Sequence, residues 1–205
     1  MELNAVNGDF ASLRAELAKM LTDISETLNV ELSQFEPGHI RLLNVIGDIS
    51  KKFSAMESLT STYYLEGLLS EHTASNKEIS RAVHRLSTKG HAALIVIEKN
   101  DSVLPYLSGG TPIQARISSQ LLETLFHPAS EFHEGAVLIQ GETIVSAGHA
   151  LPLTEEIFWD RMYDVRELSA VGLSERCDAL VLLVSDSGAT SVGSDGKLIP
   201  VSISS

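Results

Sequence analysis

Two uninterrupted apolar runs of six residues each, Ala92-Ala93-Leu94-Ile95-Val96-Ile97 and Ala179-Leu180-Val181-Leu182-Leu183-Val184, constrain this chain more than any other feature. A run of that length suits a strand buried on both faces, so each needs a covering layer above and below its sheet. Helices can supply those layers. Ser75-Asn76-Lys77-Glu78 has the spacing of a capping box and predicts a helix through Ile79, Val83 and Leu86 that stops before Gly90. A second helix is expected over 117–126, ended by Pro128, and a third within 155–173. Residues 100–112, with Gly109-Gly110, read as loop. The segments 136–140 and 143–147, joined at Gly141-Glu142, read as a β-hairpin, and short strands are expected at 190–192 and 197–202. Strands interleaved with helices make the class α/β, or α+β: a central mixed β-sheet flanked by helices.

The start of the chain is different. Between residues 10 and 58 the apolar positions recur at helical spacing: Leu13, Leu17, Met20, Leu21, Ile24 and Leu28, then Leu42, Leu43, Val45, Ile46, Ile49, Phe53 and Met56. Pro37-Gly38 separates the two runs, which predicts an α-helical hairpin with an apolar stripe on each arm, followed by a short helix over 63–71. The expected domains are therefore 1–60, the hairpin, and 61–205, the α/β domain. An isolated helix pair cannot bury both stripes. The hairpin is then either a structural cap or a regulatory or oligomerising arm.

Charge narrows the functions. The 205 residues carry 15 Lys and Arg against 27 Asp and Glu, a formal net charge of −12 that would repel a nucleic-acid backbone. An anionic substrate would need a local pocket of donors or a metal to offset that field. A single cysteine, Cys177, excludes an internal disulfide and fits a reducing compartment. No basic segment followed by an apolar run opens the chain, and no stretch approaches the ~18 apolar residues of a membrane span. The expectation is a cytoplasmic protein with neither nucleic-acid nor membrane partner.

Three segments go beyond an α/β domain. The first is Gly90-His91-Ala92-Ala93-Leu94-Ile95-Val96-Ile97-Glu98, with Ile117-Ser118-Ser119-Gln120-Leu121-Leu122 downstream. The second is Phe132-His133-Glu134-Gly135-Ala136-Val137-Leu138-Ile139, the hairpin, and Leu151-Pro152-Leu153-Thr154. The third is Asp164-Val165-Arg166-Glu167-Leu168-Ser169-Ala170-Val171-Gly172-Leu173-Ser174-Glu175, then Leu183-Val184-Ser185-Asp186. In order and spacing they resemble the diadenylate cyclase domain, over roughly residues 75–200. The helical pair ahead of it is similar to the soluble, sporulation-type branch of that family.

The resemblance implies a mechanism. Each protomer would bind one ATP with Mn2+ or Mg2+, and two protomers would meet face to face, so that the 3′-hydroxyl of each nucleotide attacks the α-phosphate of the other. It implies an Asp-Gly-Ala element near the metal and hydroxyl, and a Gly-Thr-Arg-His-Arg element around the triphosphate. This chain departs from both. Glu134-Gly135-Ala136 stands at the first, so Glu134 is the candidate catalytic and metal-binding carboxylate, one methylene longer than the family's aspartate. At the second, Asp164-Val165-Arg166-Glu167-Leu168 keeps only the first arginine.

The implied nucleotide-binding set is Gly135, Ala136, Leu153, Val165, Arg166, Glu167, Ser185 and Ser187, the last at the place of an expected acidic residue. Arg166 is the candidate phosphate contact, because a planar guanidinium suits bidentate phosphate binding; the alternative is a surface salt bridge. Glu167 could be a metal ligand, or a carboxylate favoured by the positive end of a helix. Glu134 could equally be a solvated carboxylate at a strand start. His133 adjoins it, yet the seven histidines form no metal-ligand spacing. Cys177 reads as packing, and Phe158 and Trp159 as core or interface residues. Three functions remain open: a diadenylate cyclase, a nucleotide-binding sensor that has lost catalysis, and an assembly module.

Overall fold

The computed structural model describes residues 10–33, 41–156, 158 and 162–202. The start of the chain, the Pro37-Gly38 break and Trp159 lie outside the described residues. The chain divides into two compact units, Met1–Gly67 and Leu68–Ser204.

The first unit is helical. It comprises α1 (Phe10–Ser33) and most of α2 (Arg41–Ser70). Lys52 Nζ on α2 reaches Asp23 Oδ2 on α1 at 2.5 Å. Ile24 and Ile49 are buried, while Leu21, Leu43, Ile46 and Phe53 stay half exposed or more. The short helix expected over 63–71 is not separate, because α2 runs on unbroken to Ser70. Its Ser/Thr-rich stretch holds no Gly or Pro, and Thr60 Oγ1 donates back to Met56 O at 2.8 Å, so hydroxyls are satisfied without leaving the helix.

The second unit carries a seven-stranded sheet in the order β2-β4-β3-β1-β5-β6-β7. The strands are β1 (Ala93–Ile97), β2 (Ser108–Arg116), β3 (Ala136–Gln140), β4 (Thr143–Ala150), β5 (Leu180–Val184), β6 (Thr190–Ser194) and β7 (Lys197–Ser202). Only β1 and β3 are parallel; the other neighbours are antiparallel, so the sheet is mixed as expected. The two apolar runs are β1 and β5, adjacent at the centre and buried at every residue. Side chains alternate across a strand. Leu94, Val96, Leu138, Val181 and Leu183 pack with Ala170 and Leu173 of α5 (Val165–Ser174) on one face. The alternate set, Ile95, Ile97, Val137, Ile139 and Leu182, is buried on the other, the side of α3 (Asn76–Lys89) and α4 (Ser119–Leu125).

Two expectations in this unit are corrected. Residues 108–112, expected as the end of a loop over 100–112, instead open β2 (Ser108–Arg116). This strand is paired only with β4, is mostly exposed, and carries Pro112 beside a register shift, so it has no apolar alternation to read. The Ser75–Glu78 capping box does not form, although α3 exists and ends at Gly90 in the left-handed conformation. Its partners are taken by tertiary contacts: Ser75 Oγ donates to the Glu142 carboxylate, while Glu78 accepts from Ser119 N at 2.9 Å and Arg81 Nη1 at 2.6 Å. The helix expected within 155–173 is α5, which begins at Val165; residues 155–156 and 162–164 are non-helical.

Candidate functional site

Register decides where the motif residues meet. Val137, at the start of β3, pairs with Ile95, while Val184, the last residue of β5, pairs with Ala93. The segment before β3 and the turn after β5 therefore emerge at the same end of the sheet, on either side of β1, roughly 10 Å apart at ~4.8 Å per strand. The start of α5 lies between them. Arg166 Nη2 stands 3.2 Å from Glu134 Oε2, and Arg166 Nη1 stands 3.8 Å from Asp186 Oδ2. The guanidinium is largely enclosed, with 21% of its side chain exposed, whereas Glu134 and Asp186 are 75% and 82% exposed.

Glu134 is held from a second side. His133 Nε2 lies 3.0 Å from Glu134 Oε1, and His133 Nδ1 lies 2.7 Å from Ser130 O. Both ring nitrogens thus face oxygen atoms. Each oxygen of the Glu134 carboxylate is engaged by a basic side chain. The neighbouring Gly135 is needed by the sheet itself: a Cβ there would lie 2.6 Å from Gly148 Cα and C. Ala136 is fully buried in the core cluster and pairs with His149 of β4. Burial pushes the His149 imidazole below its usual pKa, and its Nε2 lies 2.6 Å from Ser146 Oγ.

The start of α5 is closed by its own side chains. Asp164 Oδ1 accepts from Glu167 N at 2.8 Å, and Glu167 Oε2 accepts from Asp164 N at 2.9 Å, a complete capping box. Glu167 thus follows the helix-start reading, and Asp164 takes one of the amides an anion would otherwise use. After β5, Ser185 Oγ and Ser187 Oγ are 2.8 Å apart in a tight turn closed by Gly188 N donating to Ser185 O. Gly188 (φ +86°) lies so close to Ser87 O that a Cβ would come to 2.6 Å.

The structure therefore brings Glu134, Gly135 and Arg166 together with the Ser185–Ser187 turn. Leu153 and Val165 are 48% and 69% exposed, and Ala136 faces the core rather than an open surface. The strand of chain carrying Leu153 is nevertheless tied to α5: Thr154 N donates to Leu168 O at 3.1 Å, and a Cβ on Gly172 would meet Pro152 O. Asp186 ends the third motif segment but is not among the implied nucleotide-binding residues; its signal in the sequence is a carboxylate next to a candidate serine.

Among the described residues no three His, Cys, Asp or Glu side chains converge to hold a metal ion. Glu134 and Asp186 supply hard oxygen donors, which suits Mg2+ or Mn2+ held by one or two carboxylates and completed by substrate phosphates. Cys177 sits elsewhere, at the other end of α5, where burial raises its thiol pKa and Sγ lies 3.5 Å from Leu173 O. A cavity of about 950 Å3 at that end, bordered by Arg176, Cys177 and Lys197, holds none of the candidate nucleotide-binding residues. Phe158 stacks on Tyr163 there, ring centroids 4.1 Å apart.

Comparison with known proteins identifies the family. Residues 80–198 match the family described as DisA bacterial checkpoint controller nucleotide-binding, and residues 5–72 match that of the diadenylate cyclase CdaS N-terminal region. Diadenylate cyclase CdaS of Bacillus thuringiensis is 34% identical, over 93% of this chain and 96% of that protein. Cyclic di-AMP synthase CdaS of Bacillus subtilis is 38% identical, over 78% of this chain and 77% of that protein. A Bacillus cereus crystal structure titled as a hypothetical membrane spanning protein superposes with a TM-score of 0.72 at 34% identity, covering 94% of this chain and 95% of its own. Staphylococcus aureus DacA gives 0.59 at 35% identity, covering 62% and 86%. Here, among the described residues, no helix is long and apolar enough to cross a membrane. With residues 80–198 and residues 5–72 both matched, the chain belongs to the diadenylate cyclase family.

Proposed function

We propose that this chain condenses two ATP molecules into cyclic di-AMP at the site formed by Glu134, Arg166 and the Ser185–Ser187 turn. The observation that carries the reading is the meeting of Glu134, Arg166 and Asp186 at one end of the sheet, within segments that match cyclases along nearly the whole chain. In this reading the enclosed Arg166 guanidinium binds phosphate oxygens by two parallel hydrogen bonds, and Ser185 and Ser187 donate to the same group. Gly135 keeps the backbone before β3 low beside the nucleotide, and Leu153 and Val165 offer apolar contact to the base. Glu134 accepts the proton of the attacking 3′-hydroxyl. Glu167 stays in the capping box and holds the start of α5, hence Arg166, in place.

Glu134 and Asp186 would hold Mn2+ or Mg2+, which would supply charge neutralisation at the phosphates and ease ionisation of the hydroxyl. At each junction an O3′–Pα bond forms, the Pα–O bond to pyrophosphate breaks, and pyrophosphate leaves. One cradle holds one nucleotide, so two junctions require a second copy of the chain face to face. Residues 1–60 would serve that assembly or its regulation.

One observation favours a second reading, a nucleotide-binding sensor without catalysis. Arg166 is already paired with two carboxylates, and Leu168 stands where the family resemblance implies another arginine. Mass spectrometry of products after incubation with ATP and Mn2+ or Mg2+ separates the two. Cyclic di-AMP that disappears in Glu134→Ala supports the cyclase. ATP binding without product rejects it in favour of the sensor.

A further inference from the structure

Both oxygens of Glu134 are occupied by the chain's own basic groups, one by His133 at 3.0 Å and one by Arg166 at 3.2 Å. Asp186 approaches the other arm of the same guanidinium at 3.8 Å. We propose that this is a latch: in the ligand-free protein Glu134 holds the phosphate-binding arginine, and a phosphate reaches Arg166 only by displacing that carboxylate. The inference rests on the nucleotide-binding reading above and adds to it a specific control on phosphate access.

The geometry makes the latch a property of the glutamate's length. The contact spans 3.2 Å from a side chain anchored before β3 to one anchored on the first turn of α5. Shortening the carboxylate arm by one methylene withdraws it by about 1.5 Å, a single carbon–carbon bond. The pair then opens beyond hydrogen-bonding range while the local charge stays the same. The backbone that carries Arg166 is fixed, since it is the second residue of α5, a helix whose start is locked by the Asp164–Glu167 box, so closing the gap takes a change of side-chain rotamer.

Phosphate and cation binding are coupled for the same reason. An anion arriving alone must strip Arg166 from Glu134 and leave beside itself a carboxylate with only His133 on it, which costs affinity. When a divalent cation accompanies the phosphate, Glu134 and Asp186 exchange the guanidinium for the cation as Arg166 turns to phosphate. No charge is stranded, so the two ligands favour each other.

Isothermal titration of the full chain with ATP, in EDTA and without divalent cation, tests the latch. Glu134→Asp keeps the charge and opens the pair, so it should bind ATP about two- to fivefold more tightly than the unsubstituted protein, the range an exposed ion pair spans. Glu134→Gln, which removes the charge as well, should gain more. In an Arg166→Ala background the Glu134→Asp change should leave affinity unaltered, because there is no guanidinium to release. If Glu134→Gln gains and Glu134→Asp does not, only the negative field matters and the latch is overturned. A gain that survives in the Arg166→Ala background overturns it equally. If no variant binds ATP with or without Mn2+, the nucleotide reading itself fails, and the latch with it. Glu134 is 75% exposed and outside the core, so these variants should fold.

Discussion

Gly135→Ala should destabilise the protein strongly, for a reason that involves no ligand. The added Cβ would sit 2.6 Å from both Gly148 Cα and Gly148 C, and 3.0 Å from His149 N. Carbon atoms in contact prefer about 3.5–4.0 Å, so β3 and β4 must separate by about 1 Å at their common end. Backbone atoms cannot rotate away as a side-chain tip can, which puts the cost at the upper end of the ~1–3 kcal/mol usual for overpacking. For a chain of 205 residues each kcal/mol moves the melting temperature by about 2–4 °C, so a fall of about 6–12 °C is expected. Thermal melting followed by circular dichroism, without nucleotide, reads this directly. The internal control is Gly47→Ala in α2, where a Cβ meets nothing within 4 Å. There the same substitution should raise stability by about 0.4–1 kcal/mol. A Gly135→Ala protein that melts with the unsubstituted chain would refute the close-approach argument, and glycine at 135 would then be explained by ligand access alone.

Asp164→Ala removes the side-chain cap of α5 and should cost about 1 kcal/mol, read as a fall of about 2–4 °C on melting, with Glu167→Ala costing less. Glu142 gathers hydrogen bonds from Ser75 Oγ, Thr73 Oγ1 and Ala74 N, the first of these doing most to hold its carboxyl below the usual value near 4.5. A carboxyl depressed in the folded state stabilises fully above its unfolded pKa and loses that contribution as pH falls through the folded one. Urea titrations should therefore show stability declining below pH about 4.5 more steeply in the unsubstituted protein than in Glu142→Gln; parallel declines would contradict the network.

Legibility differed sharply between elements. The runs at 92–97 and 179–184 announced β1 and β5 because burial on both faces leaves a continuous apolar signature. Gly141, at φ +56°, marked the β3–β4 turn, and Gly90, at φ +61°, the end of α3. By contrast β2 buries no face of its own and takes all its pairing from β4, so its sequence, Ser-Gly-Gly-Thr-Pro-Ile-Gln-Ala-Arg, reads as loop. The Ser75–Glu78 spacing looked like a local cap, yet both side chains found better partners 67 and 41 residues away, which spacing alone cannot register. In α5 the same kind of box did form, at Asp164 and Glu167.

The candidate site divides in the same way. Sequence alone determined that the chain has a doubly covered central sheet, an N-terminal helical segment, and an ordered set of motif residues including Glu134, Arg166 and Ser185. The sheet and the helical segment follow from hydrophobic periodicity, a local property of the chain, and the motif residues from the resemblance of their segments to the diadenylate cyclase domain. Tertiary structure decided that Glu134 meets Arg166 across 32 residues, that Asp186 joins them, and that Glu167 turns to its own helix. Those outcomes depend on strand register, Ile95 with Val137 and Ala93 with Val184, because an ion pair or a close backbone approach is set to within an ångström by neighbours distant in sequence. Apolar burial, being non-directional, specifies which segments go inside but leaves open which charges then face each other.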